Sequence, residues 1–385
     1  MIVLKILSRN ALRHPLRSGL TVAAIAVAVL SFGILRTVIE GWYAGVDASS
    51  ASRLVTRNSI SMTMPLPLAY ASRIRQVEGV TRVGWGNWFG GIYIEEKNFF
   101  ANFAIEPRAY LALYPEVIIP EEQFTAFLRE RRACVVGRKS AERFGWKLGD
   151  VITLRGTIYP GDWEMVIRAI YRGRDKNVDE TALYFQWDYL NERVKDLMPS
   201  DADMVGWFMI GVKDPDRAAS ISREIDGLFK NSLAETLTET EKAFTLGFIR
   251  MTEAIITIIR LVSLAVIVII MVVAANTMAM TARERMAEYA TMRVLGFDGF
   301  HIGGLVFGES LILSAAGGAL GIALSFPAAS WFSVSLGQFF PVFRISTTTL
   351  LLDILAALTV GVAAGIIPTW RAARVKVVDG FRRVA

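Results

Sequence analysis

Four stretches of the chain are apolar over the length that a bilayer-crossing helix needs. Gly19 to Leu35 reads GLTVAAIAVAVLSFGIL, the second run is Leu261 to Met280, the third lies within Ile302 to Phe332, and the fourth runs from about Leu350 to Ile367. Each can cross the ~30 Å hydrocarbon core as a helix, which satisfies every backbone hydrogen bond internally. The first run could be mistaken for a signal-peptide core. However, no small-residue cleavage site follows promptly, and Arg36 and Glu40 come straight after it. A retained anchor is the reading its length supports.

Between the first and second runs the pattern changes to that of a soluble domain. SRIRQVEGVTRVGW (Ser72 to Trp85) reads as a helix, a turn at Gly79 and a strand. VVGRKSAERFGWKLGDVITL (Val135 to Leu154) reads as a strand end, a short helix and a Gly-Asp turn into a strand. Trp163 to Gly173 looks like another strand, and Asp214 to Phe229 like a helix with Asp214 as N-cap and Pro215 in the first turn. Mixed strands and helices over ~200 residues predict an α+β domain.

Lys and Arg near the ends of the runs set an orientation. Lys5, Arg9, Arg13 and Arg17 precede the first run; Arg283, Arg285 and Arg293 separate the second and third; Arg371, Arg374, Lys376, Arg382 and Arg383 follow the fourth. The connection between the third and fourth has Arg344 alone. Both termini and the 283–300 loop are therefore expected on the cytoplasmic side, and the α+β domain outside. Trp42, Trp331 and Trp370 fall near predicted interfaces. The fours spacing of Lys5, Arg9, Arg13 and Arg17 makes one basic face. That face suits anionic headgroups, or serves only as a topology signal.

Of 385 residues, 53% are hydrophobic and 20% charged, with a net charge of +6. The excess cations sit beside apolar runs, which argues against a basic nucleic-acid binder. Cys134 is the only cysteine, so no intrachain disulfide forms. CVVGRKS fails as a phosphate loop, with Arg132 at the first glycine position and Arg138 at the lysine position. GWGNWFGG (Gly84 to Gly91) fails as a dinucleotide fingerprint because of Phe89, and reads as a turn with core packing. The two histidines, His14 and His301, are far apart in sequence, and no His/Cys cluster has metal spacing. Asp201 and Asp203 read as solvated loop charges. No catalytic residue, cofactor-binding residue or metal ligand is predicted.

From Glu241 to Ala282 there is no proline and only Gly247 interrupts helix formers. One continuous helix is expected there, on the order of 60 Å long at 1.5 Å per residue. About half would project as a stalk carrying Arg250, Glu253 and Arg260, or would simply link span and domain. Gly317 and Gly321 form a small-xxx-small pair suited to close helix packing. Glu309, about two turns into the third run, is read as pairing with a neighbouring cation.

The loop RERMAEYATMRVLGFDG, Arg283 to Gly299, cannot be lipid-buried. It reads as a short helix closed by Gly296. Arg283, Glu284, Arg285, Glu288 and Arg293 give it polar faces, and Ala287, Ala290, Thr291 and Val294 a small-residue stripe, a shape suited to docking a protein. This segment resembles that of FtsX/MacB-like permeases of ABC transporters, the type VII mechanotransmission class, with Arg283, Arg285, Glu288, Leu295 and Gly296 matching and Tyr289 where Ile is usual. NALRHPLRSGLTVAAIAVAV, with Asn10, Arg17, Ser18, Leu20 and Thr21, is similar to the family's N-terminal segment. PTWRAARVKVVDGFR resembles its tail at Pro368, Ala372, Ala373, Val378 and Arg382, and departs at Lys376 and Val377. IRQVEGVTRV and AERFGWKLGDVITL resemble its periplasmic core domain.

The expected architecture is an α-helical membrane protein with four transmembrane helices and a large extracytoplasmic α+β domain inserted between helices 1 and 2. Its boundaries are an amphipathic N-terminal segment (1–18), first span (19–40), core domain with stalk (41–248), second span (249–282), coupling helix (283–300), third span (301–332), short connection (333–349), fourth span (350–368) and tail (369–385). By resemblance, the chain is a non-enzymatic permease subunit in the inner membrane. Arg283, Arg285, Glu288, Arg293, Leu295 and Gly296 would couple it to a separate ABC ATPase. A second permease copy, or a related one, would complete a dimer in contact with membrane lipids, and a periplasmic adaptor or outer-membrane partner fits the same class. The cargo would be a lipid-linked or hydrophobic molecule, a lipoprotein or a peptide. The alternative is a non-transporting transducer that regulates an extracellular enzyme such as a cell-wall hydrolase.

Overall fold

The structure is a computed structural model; it describes residues 13–98, 100–175, 178–336 and 343–375. Lys5, Arg9, Lys376, Val377, Val378, Arg382 and Arg383 lie outside the described residues, as does part of the 333–349 connection, 337–342. The described residues form two compact units: those within 1–41, 253–335 and 343–375 make one, and those within 42–252 the other.

In chain order the first helix is α1 (Pro15–Ala48). The strands and helices of the second unit then follow. They are β1 (Arg53–Asn58), β2 (Leu66–Pro67), α2 (Tyr70–Ile74), β3 (Val80–Trp88), β4 (Asn102–Ile105), α3 (Pro107–Ala112), β5 (Val117–Ile118), α4 (Glu121–Arg129), β6 (Ala133–Gly137) and α5 (Arg138–Phe144). Next come β7 (Val151–Gly156), β8 (Gly161–Gly173), β9 (Leu183–Gln186), α6 (Trp187–Leu197), β10 (Met204–Val205), β11 (Trp207–Val212), α7 (Ala218–Leu228), β12 (Thr236–Thr240) and α8 (Glu241–Met251). The remaining helices are α9 (Glu253–Glu284), α10 (Met286–Val294), α11 (Gly299–Leu336) and α12 (Thr347–Ala373).

Ten strands form one mixed sheet, ordered β12-β1-β11-β3-β4-β9-β6-β8-β5 with β7 beside β8. The β4–β9 and β6–β8 pairs are parallel, and the other pairings in the sheet are antiparallel. Side chains alternate across a strand, and both faces are covered. Leu54, Ala104, Cys134, Val136, Phe208 and Ile210 enter one core. Their neighbours Val55, Ile105, Val135 and Met209 enter the other. Strands buried on both sides read as unbroken apolar runs.

The predicted domain segments take shape as β3, α5, β7 and β8, with Gly79 at φ +94° in the turn before β3. Asp214 caps a 3₁₀ turn, accepting from the Asp216 N–H at 3.0 Å, and α7 follows. The Gly84–Gly91 segment differs from expectation. Gly84 to Trp88 is strand, and the turn comes only at Gly90, φ +68°. A Cβ at Gly84 would lie 2.8 Å from the Tyr110 backbone, so this glycine lets α3 lie against the sheet.

The four apolar runs are helices long and apolar enough to cross a membrane, over Pro15–Ala44, Glu253–Glu284, Gly299–Ser333 and Thr347–Ala373. The continuous 241–282 helix is a correction. It divides at Thr252, whose φ is −105°. The Thr252 hydroxyl donates to the Ile249 carbonyl at 2.9 Å, and the Thr252 backbone N–H donates to the same oxygen at 2.9 Å. That three-residue closure replaces the α-helical bond and ends the helix. Arg250 therefore sits in the last turn of α8, while Glu253 opens α9 and Arg260 lies within it.

Candidate functional site at the loop between the second and third spans

The loop folds as the short helix α10, between the end of α9 and the start of α11. Its C-terminus is a left-handed cap. Gly296 has φ +94°, its N–H reaches the Arg293 carbonyl, and the Phe297 N–H reaches Met292 at 3.0 Å. Asp298 then caps α11, accepting from the His301 backbone N–H at 2.9 Å and meeting its ring Nδ1 at 2.6 Å. These bonds hold the Asp298 carboxyl below its usual range.

One face of α10 is buried. Tyr289 and Ala290 pack with Ala282, Ile302, Val306, Ala372 and Val375, so α10 is held by the ends of three spans. Burial pushes the Tyr289 hydroxyl up to about 12, against the pull of Arg285, whose guanidinium lies 5.5 Å from the ring centre.

The charges of the loop are largely committed within the molecule. Arg285 donates to Glu309 at 2.8 Å and to Glu288 at 3.2 Å, and only 8% of its side chain is exposed. Glu288 also meets Arg13 at 2.6 Å. Arg17 grips Glu284 with two bonds of 2.6 and 2.9 Å. Two arginines four apart on α1 and before it thus face two glutamates four apart. Arg293 donates to the Ala373 carbonyl at 2.6 Å, and Gly299 leaves the room for that reach. Arg283 is exposed.

This corrects the expected polar docking faces. Arg285 and Arg293 turn inward, and Arg13 and Arg17 meet carboxylates of this chain. The outward face is Ala287, Thr291, Val294 and Leu295, followed by exposed Phe297 and Phe300. Even the Thr291 hydroxyl turns back to the Ala287 carbonyl, at 2.9 Å. This apolar patch lies beside the exposed charges of Arg283, Glu284 and Asp298. The expected pairing of Glu309 is present, with Arg285 as its cation.

The other predicted positions are elsewhere. At Gly317 a Cβ would lie 2.7 Å from the Ile25 Cβ, and at Gly321 one would lie 2.6 Å from the Ala26 carbonyl. Both pack α11 closely on α1. Arg138 pairs with Glu142 and Glu180, and so sits in an ion-pair network. Asp203 is 61% exposed in its side chain and accepts from Asn191. Among the described residues no group of three or more His, Cys, Asp or Glu could hold a metal.

Two features were missed from the sequence. One is the Arg13–Glu288 and Arg17–Glu284 ladder, signalled only by matching spacings of four. The other is Asp353, the one acid in TTTLLLDILAALTVGVAAGII. An intramembrane carboxylate was a signal in plain view.

Comparison with known families decides the class. Residues 18–228, more than half of the chain, match the MacB-like periplasmic core domain, and residues 260–377 match the FtsX-like permease C-terminal model. The chain belongs to the FtsX/MacB-like permease family. It is similar to an uncharacterized ABC transporter permease of Methanocaldococcus jannaschii, with 25% identity over 266 residues, covering 65% of this chain and 62% of the relative's length. A likeness is also found to the crystallised extracellular domain of the ABC-type transporter YknZ from Gram-positive bacteria. It has 12% identity and a TM-score of 0.37, and covers 49% of this chain and 100% of that one. As a family member with four apolar helices, this permease is a membrane protein.

Proposed function

We propose that this permease is the membrane subunit of an inner-membrane ABC transporter, working as a dimer with a separate ATPase subunit. The observation that carries this is the outward face of α10. A short helix is fixed to three span ends, its charges are largely neutralised internally, and its small apolar face is left uncovered. ATP-driven movement of the ATPase would push on this face and so move the spans, with the α+β domain on the far side of the membrane acting on an exported or extracted cargo. A lipid-linked or hydrophobic molecule, a lipoprotein or a peptide fits an export route of that kind.

The test is Leu295→Asp. Leu295 is 72% exposed, so the change leaves the fold intact, while docking would strip water from an unpaired carboxylate. The variant should reach the membrane at the wild-type level and fail to copurify the ATPase. Normal recruitment would overturn the docking role. Topology is tested by single cysteines at Ser200 and Asp298. In intact cells with a permeabilised outer membrane, an impermeant reagent should label position 200 and not 298; the reverse would sink the orientation.

A further inference from the structure

On α1, Gly33, Arg36, Thr37 and Glu40 fall at i, i+3, i+4 and i+7, and so share one face. The Asp353 carboxyl of α12 occupies the space that a side chain at position 33 would take. A Cβ there would lie 2.7 Å from Oδ2 and 3.1 Å from Oδ1. Asp353 is fully buried, and neither carboxyl oxygen has a hydrogen-bond partner among the described residues. On α1, Nε of Arg36 and Oε2 of Glu40 are also buried without a partner. These four orphaned polar atoms belong to one cation and two acids within one compact unit.

The existing pairing of Arg36 is loose. It meets Glu40 at 3.6 Å, beyond hydrogen-bond length. An arginine four residues before a glutamate is also the weaker order on a helix. Helical side chains lean toward the N-terminus. For Arg36 that lean leads back to the turn of Gly33, where Asp353 lies without a donor. A buried carboxyl with no donor is costly, and a guanidinium is the group that removes most of that cost.

We propose that Arg36 has two acidic partners, Glu40 and Asp353, and that exchange of its guanidinium between them is a two-position switch between α1 and α12. The missing side chain at Gly33 keeps the path open. With Arg36 on Glu40, Asp353 is left bare, as observed. With Arg36 on Asp353, α1 and α12 are tied together by a buried ion pair. The two pairings favour different settings of one helix against the other.

The test is a double-mutant cycle on the full chain in lipid nanodiscs, read as the midpoint of thermal unfolding. Asp353→Asn keeps the side-chain shape and should lower the midpoint by a few degrees in the wild type. It should have much less effect in an Arg36→Gln background. Asp353→Glu should retain the coupling. Glu40→Gln removes the competing acid, so the drop caused by Asp353→Asn should grow in that background. An equal shift from Asp353→Asn with and without Arg36 would overturn the pairing. A drop unchanged by Glu40→Gln would overturn the exchange.

Discussion

Nη1 of Arg285 lies 2.8 Å from Oε2 of Glu309, and each side chain is less than a tenth exposed. The pair ties the start of α10 to the third span. It also explains why Arg285 is missing from the exposed surface of this loop, since the buried acid draws the guanidinium inward. Removing one partner of a buried pair leaves the other uncompensated, at about 3–5 kcal/mol. Arg285→Met should therefore destabilise the chain by about that much in a denaturant titration. The double variant Arg285→Met/Glu309→Leu should recover most of the loss. A loss from Arg285→Met below about 1 kcal/mol would mean that the pair is solvated like a surface bridge.

Gly321 is expected to tolerate no side chain. The nearest obstacle to a Cβ is the Ala26 carbonyl, which is backbone and cannot rotate away, with the Val29 Cβ at 2.9 Å behind it. Gly321→Val should push α11 off α1 and lower stability by about 1–3 kcal/mol, the usual range for overpacking. Gly304 has nothing within 4 Å of its Cβ position. Gly304→Ala should be neutral or slightly stabilising through helix propensity. The melting temperatures of the two variants, measured side by side, check the contrast.

What the sequence made legible follows from how local each signal was. The spans were legible because twenty apolar residues in a row have few other uses. The α5–β7 segment was legible because Gly145 and Gly149 mark turns in place, with φ +71° and +92°. The break at Thr252 was not, because nothing distinguishes that threonine from others inside helices until its hydroxyl closes on Ile249. The strand character of GWGNW was hidden because two glycines suggest a turn, and only the approach of Tyr110 explains Gly84. The site showed the same limit. Gly296 as the helix stop was readable, and so was a cation for Glu309. Which arginine would turn inward was not, because that depends on a residue a helix away. Asp353 and Gly33 meet only through tertiary packing, so neither could point to the other.

Arg53 should be far more important than Arg57, although both are arginines on β1 paired to glutamates. Arg53 is 6% exposed in its side chain and holds Glu116 and Glu241, each at 2.7 Å, as well as the Leu113 carbonyl at 2.9 Å. Glu241 in turn accepts from the Ser50 N–H at 2.8 Å, so the start of β1 and the start of α8 are fastened together. Arg57 meets Glu239 at 3.3 Å, and both side chains are about a fifth to a quarter exposed. Arg53→Ala should cost about 3–5 kcal/mol, leaving two carboxylates facing each other. Arg57→Ala should cost about 1 kcal/mol or less. Comparable losses in chemical denaturation would refute the distinction.

Cys134 should be chemically silent in the native protein and should shape its stability at alkaline pH. It lies on β6, fully buried, and burial pushes its thiol up from an ordinary value of 9.0. A maleimide at neutral pH should leave it unlabelled until the chain is denatured, so single-cysteine labelling at Ser200 or Asp298 needs no replacement of Cys134. The pH effect has a definite sign. Above about pH 9 the unfolded thiol loses its proton while the folded one keeps it, so the unfolded state binds fewer protons and stability falls as pH rises. The contribution is whole below the unfolded value and is lost as pH climbs toward the folded one. Buried tyrosines act in the same direction at higher pH, since burial pushes Tyr110 up to about 12 and raises Tyr114, Tyr171 and Tyr184 as well. Cys134→Val should therefore flatten the fall in unfolding free energy from about pH 9 upward, and above about pH 10 only the tyrosine part of the decline should remain. Identical slopes for wild type and Cys134→Val between those values would show that the thiol ionises as freely in the folded chain as in the unfolded one.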